Sequence, residues 1–334
     1  MEKKMKRWKK ALIVMGVAFL AAAIVLFVCG MTAADWDFKK LSTVSYTQKE
    51  YALEEGEQVT SLTVRYENAR VEVVYSETAA AHISYPVRTD SRGEEIAKIT
   101  LSYENGALTL AESLDGKYEI FNWDLSSPVV TITLPAGTQC ALDIQTDNGD
   151  IAIAGEAQIA APSVKLATDT GNIYAQPSGG MNVAGNAEFY GDTGNVRVKN
   201  ISAANLTAQT DTGDIFVENA AAAQALTATA DTGDVRLYGA VKTAVFTAET
   251  ETGDIRIEEG CVLDASELAM TSDVGDIRVR GALAGSRTDY TFFITTDVGS
   301  SNVPSGGSGA RRLTATTDTG DITLQFEIQA KTTS

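Results

Sequence analysis

The residues best suited to chemistry in this chain are acidic side chains that recur in a short glycine-containing motif. The motif reads D-T-G-D-I, or a close variant, at nine places between residues 147 and 322. Its first position holds Asp147, Asp169, Asp192, Asp211, Asp231, Glu251, Asp273, Asp297 and Asp318. The position after the glycine holds Asp150, Asn172, Asn195, Asp214, Asp234, Asp254, Asp276, Ser300 and Asp321. Such residues could bind Ca²⁺, act in pairs on glycosidic bonds, or stabilise the turn itself.

Turn stabilisation is the favoured interpretation of these acidic residues. If equivalent carboxylates stack about 4.8 Å apart, neighbours repel by roughly 1 kcal/mol even in water, so another interaction must offset the repulsion. Asp and Asn side chains accept backbone N–H groups in turns, and the Asn and Ser members fit this role better than metal binding. Calcium sites are the alternative, and they would use Asp147, Asp150, Asp211, Asp214, Asp231, Asp234, Asp254, Asp273, Asp276, Asp318 and Asp321.

The sequence predicts no catalytic residue and no cofactor. Every carboxylate pair belongs to the repeat, whereas an active site usually departs from a regular pattern to gather unlike groups. The one strong departure is DVGSSNVPSGGSGARR (297–312), where Ser300 and Ser301 replace the usual Asp and Ile. A surface insertion is the expected role of this segment, with a binding loop as the alternative. A glycan-active β-helix enzyme is therefore the least favoured function.

The spacing and surroundings of the motif glycines predict the fold. Apolar residues occupy the seventh and fifth positions before each glycine and the second and fourth after it, with Ser301 the one exception, and mainly polar residues lie between them. This alternation is typical of strands with one buried face on both sides of a tight turn, where glycine supplies a positive φ. The glycines recur every 19 to 24 residues, about 21 on average. They are Gly149, Gly171, Gly194, Gly213, Gly233, Gly253, Gly275, Gly299 and Gly320.

A unit of this length cannot bury its own apolar face and needs a neighbour above and below. We therefore predict an all-β protein, a parallel β-solenoid of ~21-residue rungs over residues 139–326, followed by a short tail, 327–334. The alanine-rich stretch 219–228 is interpreted as the return path of one rung. Two looser copies of the unit, centred on Ala69 and Gly106, lie within residues 44–138. We interpret that region as an N-terminal β region that caps the stack.

One apolar segment precedes the β region. Residues 11–31 contain no charge and, as a helix, would span about 31 Å, which matches a hydrocarbon core of about 30 Å. Six of the residues in the tail 1–10 are Lys or Arg, which predicts a cytoplasmic N-terminus, a linker at 32–43, and the remainder of the chain outside the cell membrane. A cleaved signal peptide is the alternative, because Thr32-Ala33-Ala34 resembles a cleavage site.

The charge distribution excludes nucleic acid as a partner. The 334 residues include 27 basic and 44 acidic side chains, for a formal net charge of −17. Residues 1–34 contain six of the basic and one of the acidic residues, so the remaining 300 carry 21 basic and 43 acidic residues, a net charge of −22. Nucleic acid and anionic lipid both repel a body of that charge.

The single histidine and the cysteines give no sign of a metal site. His82 lies in the strand-like run AHISY without a second histidine, so an exposed or hydrogen-bonded position is expected. Cys140 and Cys261 belong to rungs five steps apart, about 24 Å at 4.8 Å per rung, whereas a disulfide requires Cα atoms within about 7 Å. Both are predicted to be buried free thiols, and Cys29 belongs to the apolar segment.

Several runs of sequence resemble a known bacterial family. VVTITLPAG (129–137), LDIQTDNGDIAI (142–153) and the TDTGDI units behind an N-terminal span are similar to the β-strand-repeat proteins called putative adhesins, a domain-of-unknown-function family. The likeness covers about residues 45–325. It implies a membrane-anchored cell-envelope protein of Gram-positive or related bacteria, with some relatives tied to envelope-stress responses, and it supplies no catalytic residues.

These observations predict a non-enzymatic, extracytoplasmic binding module of the cell envelope. Residues 11–31 would hold it in the cell membrane by a single pass, and a cell-wall glycan or an envelope protein is the expected partner. The alternative is an envelope-stress regulatory component that acts through a membrane partner. The shortness of the basic tail argues against a separate cytoplasmic signalling domain.

Overall fold

The computed structural model describes residues 7–36, 44–78, 80–90, 92–114 and 128–326. Most of the predicted basic tail, much of the predicted linker and the predicted C-terminal tail, 327–334, lie outside the described residues. The chain divides into two compact units. The first comprises residues 1–47, 87–97 and 114–126, and the second comprises residues 48–86, 98–113 and 127–334.

The first unit contains the long helix α1 (Arg7–Ala33). Its sequence is almost entirely Ala, Val, Leu, Ile, Phe and Met after Lys10, and no proline interrupts it. Residues Met15–Ala33 form the one helix in the described residues that is long and apolar enough to cross a membrane, and nearly all of that stretch is exposed. Phe19 and Leu26, for example, are both 72% exposed. The helix includes the whole of the predicted span 11–31.

Strands make up nearly all of the remaining described structure. The N-terminal strands are β1 (Val44–Ala52), β2 (Ser61–Asn68), β3 (Arg70–Ser76), β4 (His82–Asp90), β5 (Ala97–Glu104), β6 (Ala107–Leu114) and β7 (Val129–Pro135). The next are β8 (Ala141–Asn148), β9 (Ile151–Gly155), β10 (Ile159–Ala161), β11 (Val164–Thr170), β12 (Ile173–Ala175), β13 (Met181–Val183) and β14 (Asn186–Thr193). Three long strands follow, β15 (Val196–Thr212), β16 (Ile215–Thr232) and β17 (Val235–Thr252). The last are β18 (Ile255–Ile257), β19 (Val262–Asp264), β20 (Glu267–Val274), β21 (Ile277–Val279), β22 (Ala282–Leu283), β23 (Tyr290–Val298), β24 (Arg311–Thr319) and β25 (Ile322–Thr323), with a 3-10 turn at Arg287–Asp289.

The strands form the predicted parallel β-solenoid. Each rung contains a segment after the motif glycine, a middle segment and a segment before the next glycine, as β9, β10 and β11 illustrate. Equivalent segments pair in parallel and in register, so that Leu166 of β11 lies between Ile144 and Phe189. All three side chains are buried, as the alternation of apolar residues predicted. The core is therefore a set of apolar columns that run from rung to rung.

The alanine-rich stretch lies within β16 and not in a helix, which confirms its interpretation as the return path of a rung. Ala220 and Ala222 point into the core and pair with Val241 and Thr243 of the next rung.

The order of rungs in space differs from their order along the chain at both ends of the stack. Near the N-terminus, β2 lies between β6 and β8, and β3 lies between β7 and β9. Near the C-terminus, β24 lies between β20 and β23. The segment 290–298 therefore forms the outermost strand, although it precedes β24 in sequence.

This arrangement confirms one of the looser copies of the unit and corrects the other. Ala69 occupies a rung corner, because β2 and β3 on either side of it stack on β8 and β9. The expectation of a unit centred on Gly106 is wrong. Asn105 and Gly106 both adopt positive φ in the turn that joins β5 to β6, and the rung at that level is formed by β6 and β7 instead. Leu108 and Leu110 are buried, whereas Ile99 and Leu101 are only partly buried.

Candidate functional site

The motif glycines form one column along a corner of the solenoid. Their φ angles lie between +138° and +158°, a region that side-chain-bearing residues rarely adopt. Each glycine also lies against the carbonyl group of the corner residue in the neighbouring rung. A Cβ added to Gly213 would lie 2.1 Å from the carbonyl oxygen of Gly194. Glycine is therefore required both by the backbone conformation and by the close stacking of rungs.

The glycine contacts confirm the spatial order of the rungs. A Cβ on Gly149 would meet the carbonyl of Ala69, one on Gly320 would meet that of Gly275, and one on Gly299 would meet that of Gly320. The column thus starts at Ala69 and ends at Gly299.

The acidic residues after the glycines form a continuous hydrogen-bonded ladder. The backbone N–H of each residue donates to the side-chain Oδ1 of its equivalent in the preceding rung, at distances of 2.6 to 3.0 Å. The series runs through Asp150, Asn172, Asn195, Asp214, Asp234, Asp254, Asp276, Asp321 and Ser300. Because Asn supplies the same carbonyl oxygen as Asp, both residue types satisfy the ladder.

Arginines neutralise the second carboxylate oxygen in part of the ladder. Arg256 lies 2.5 Å from Oδ2 of both Asp234 and Asp254, and Arg236 lies 2.6 Å from Oδ2 of Asp234. Burial of Asp234 opposes ionisation, but the N–H of Asp254 and the two guanidinium groups outweigh that effect and lower the pKa of its carboxyl group. These groups offset the repulsion between neighbouring carboxylates in the column.

A hydroxyl ladder supports the same corner. The residue three positions before the motif glycine donates its hydroxyl to the carbonyl of the corner residue in the adjacent rung, as Thr210 does to Gly194 at 2.9 Å. The other donors are Thr146, Thr168, Thr250, Ser272, Thr296 and Thr317. Gly191 and Ala230 occupy the same position without a hydroxyl. The recurrence of Thr and Ser there is visible in the sequence, but its partner is visible only in the stacked structure.

The first acidic column is exposed. All nine residues from Asp147 to Asp318 at the first motif position have exposed side chains, while those of the second column are mostly half-buried. In the described residues, no three His, Cys, Asp or Glu side chains converge on a common point at which a metal ion could bind. The carboxylates of the second column are engaged with backbone N–H groups and arginines. Calcium binding to either column stays a hypothesis that requires a binding experiment.

Part of the irregular segment 297–312, residues 305–309, runs back along the edge of the terminal strand β23. Phe292 and Gly306 form an antiparallel bridge, with N···O distances of 2.8 and 2.9 Å. The hydroxyl of Ser305 both accepts from the N–H of Ile294 and donates to its carbonyl. The segment therefore covers part of the last strand edge. At the opposite end of the stack, residues 82–84 of β4 pair antiparallel with β7.

His82, Cys140 and Cys261 do not form a common site in the described part of the chain. His82 is half-exposed, and its Nε2 lies 3.8 Å from a carboxylate oxygen of Glu50. Cys140 and Cys261 are buried free thiols, as predicted, and burial raises the pKa of each to about 12. Glu258 adds to the shift of the Cys261 pKa. Neither thiol is a nucleophile at neutral pH.

Together the rungs, corners and ladders define the chain as a parallel β-solenoid whose repeated motif serves the stacking of its own backbone. The chain belongs to the Toastrack DUF4097 family, whose model matches residues 59–325. The resemblance to the bacterial β-strand-repeat family is thereby confirmed. No curated protein matches the chain.

Several crystal structures are similar to this chain at low identity. A putative cell adhesion protein from Clostridium sporogenes is 10% identical, with a TM-score of 0.30 over 85% of this chain and 100% of that one. A putative adhesin from Bacteroides fragilis is 14% identical, with a TM-score of 0.38 over 85% and 97%. A putative lipid binding protein from Parabacteroides distasonis is 13% identical, with a TM-score of 0.39 over 83% and 96%. At this level of similarity, those descriptions apply to those proteins alone.

Proposed function

We propose that this protein is a non-enzymatic binding module of the cell envelope. In this proposal α1 is a single-pass anchor with a cytoplasmic N-terminus, and the β-solenoid binds a cell-wall glycan or an envelope protein outside the membrane. Residues 44–138 act as the N-terminal cap of the stack, and residues 139–326 are its repeating body.

The observation that carries the proposal is the repetition of outward-facing side chains. Because the rungs stack in register, each exposed position recurs about every 4.8 Å along the stack. A repetitive polymer can contact several such positions at once, and the second and later contacts then form at a high effective concentration. Weak individual contacts can thereby add to useful affinity.

The engagement of the polar groups supports a binding role over catalysis. A glycosidase needs two carboxyl groups that differ in environment and are free to exchange protons. In the second acidic column, each Oδ1 accepts a backbone N–H, and Asp234, Asp254 and Asp276 also bind arginine. The first column is uniformly exposed, so its members share one environment.

Co-sedimentation with purified bacterial cell walls tests the proposal. Full-length protein in a mild detergent is mixed with walls in calcium and, separately, in a chelator, and bound protein is measured against wall concentration. Saturable binding is expected. Loss of binding in the chelator would indicate that the acidic columns bind calcium. Equal binding in both buffers would indicate that they serve only to stabilise the turns.

A matched pair of variants then locates the contact. Neutralising Asp211, Asp231 and Glu251 together removes three charges from the exposed column. Neutralising three exposed glutamates elsewhere, Glu55, Glu104 and Glu156, removes the same charge from other surfaces. A loss confined to the first variant would place the contact on the column. The absence of sedimentation by wild-type protein in either buffer would refute wall binding and favour a regulatory role through a membrane partner.

A further inference from the structure

One arginine of the solenoid lies in the arginine column but lacks the carboxylates that its equivalents bind. The column is formed by the third residue after each motif glycine, and in-register pairing places Tyr174, Arg197, Phe216, Arg236, Arg256 and Arg278 in consecutive rungs. Each of the last three binds Oδ2 atoms of two aspartates, one in its own rung and one in the preceding rung.

In the rung of Arg197, the two corresponding positions are Asn195 and Asn172. The Oδ1 of Asn195 accepts the N–H of Asp214 at 2.8 Å, and that of Asn172 accepts the N–H of Asn195 at 3.0 Å. These bonds fix the amide orientations, so that an NH₂ group takes the place that Oδ2 has in the aspartate rungs. Asn172 donates from that group to Asp150, at 3.0 Å. Asn195 has no such acceptor among the described residues.

Among the described residues, Arg197 therefore lacks a counterion, and Asn195, two residues before it, offers a hydrogen-bond donor where the equivalent residue in the neighbouring rungs offers a carboxylate oxygen. No ion pair joins it to a carboxylate anywhere in the described part of the chain. Its guanidinium carbon lies 3.8 Å from the ring centre of Phe216, and that ring is also 5.3 Å from Arg236. Stacking on the ring holds the guanidinium plane in place, which reduces the entropy lost when a ligand binds.

We propose that Arg197 and Asn195 form a binding site for the carboxylate group of a ligand. A carboxylate accepts two parallel hydrogen bonds from a guanidinium, and the Asn195 amide provides a further donor. The ligand carboxylate gives Arg197 the two acceptor oxygens that Arg236 receives from Asp214 and Asp234. An acidic sugar and an amino acid both present such a carboxylate, so either could be the ligand. The site is an addition to the wall binding proposed above and does not depend on it.

The site is tested by following arginine Nε–H resonances of the full-length protein in detergent micelles. Sodium glucuronate is titrated against glucose and against sodium chloride at equal ionic strength, and acetylalanine is titrated against its amide. We expect a saturable shift of the Arg197 resonance with glucuronate or acetylalanine and none with the neutral or salt controls. The stronger of the two carboxylates identifies the source. Equal shifts with the controls, or no shift at all, would overturn the proposal.

Asn195→Asp provides the sharpest variant, because it supplies an internal carboxylate as in the neighbouring rungs while it retains the ladder bond. Binding is expected to weaken at least about tenfold. Asn182→Asp changes the same charge at an exposed position away from the site, and it should bind within about twofold of wild type. Arg197→Lys keeps the charge but loses the planar fork, and it should also weaken binding about tenfold. Wild-type affinity in either site variant would refute the assignment, whatever the result with cell walls.

Discussion

The substitution Gly213→Ala tests whether close stacking of the corners, and not only their backbone conformation, holds the solenoid together. Gly213 has a φ of +149°, and an added Cβ would lie 2.1 Å from the carbonyl oxygen of Gly194 and 2.6 Å from its carbon. Ordinary contacts of a Cβ begin near 3.4 Å. The two rungs would have to separate by about 1 Å at a point where backbone meets backbone on both sides.

The expected loss follows from three contributions. The unfavourable φ costs about 1–2 kcal/mol. Separation of the rungs weakens the bond from the N–H of Gly194 to the carbonyl of Thr212 and the ladder bond from the N–H of Asp214 to Asn195, each worth about 1 kcal/mol. We therefore expect a loss of about 3–4 kcal/mol in the free energy of unfolding, which is large for a single methyl group.

Gly260→Ala is the matched control, because Gly260 also has a positive φ, of +79°, but a Cβ added there would have no other atom within 4 Å. It should lose only the conformational contribution, about 1–2 kcal/mol. Urea unfolding of the full-length proteins, followed by circular dichroism, gives the difference, and hydrogen exchange locates it. Exchange in Gly213→Ala should accelerate mainly in the adjacent rungs, because each rung contacts only its neighbours. Equal losses in the two variants would refute the stacking argument.

Three further predictions follow from the ladders and the buried thiols. Thr210→Val should destabilise the protein by about 1–3 kcal/mol by leaving a corner carbonyl without its donor, whereas Ala230→Thr should add such a donor and stabilise the protein by about 1 kcal/mol. Urea unfolding measures both changes, and a stabilising Thr210→Val or a destabilising Ala230→Thr would contradict the hydroxyl ladder. Asp234→Asn keeps the ladder oxygen but loses two arginines. Because the folded pKa of Asp234 lies below its unfolded value of about 3.8, its carboxylate contributes stability above that pH and loses it as the pH falls through the folded pKa; the variant should be about 1 kcal/mol less stable at pH 7 and show a shallower acid decline, and an unchanged decline would contradict this sign. Cys140 and Cys261 should resist iodoacetamide at pH 8 and react fully in denaturant, since burial raises the pKa of both thiols to about 12; rapid native labelling would show that these rungs open.

Much of the corner could be predicted from the sequence because its physical requirements are local. Asp, Asn and glycine in D-T-G-D are turn residues whatever their surroundings, and alternation at Leu166 and Leu206 identifies the buried face of a strand. The hydroxyl ladder was visible only as a preference for Thr and Ser, because its acceptor lies in another rung. The exceptional position of Arg197 was likewise hidden, since Asn172 lies 25 residues before it and becomes its neighbour only through stacking.

The amino-acid sequence alone specifies the rung: its length, its corner, its inward side chains and its need for neighbours. Which rungs become neighbours is specified only in the folded structure. Every rung presents nearly the same apolar columns and the same backbone groups, so the pattern favours stacking without favouring a partner. β2 therefore pairs with both β6 and β8, and β24 fits between β20 and β23, against the order of the chain. Those choices depend on how the irregular segments cover the two ends, which is a property of the assembled fold.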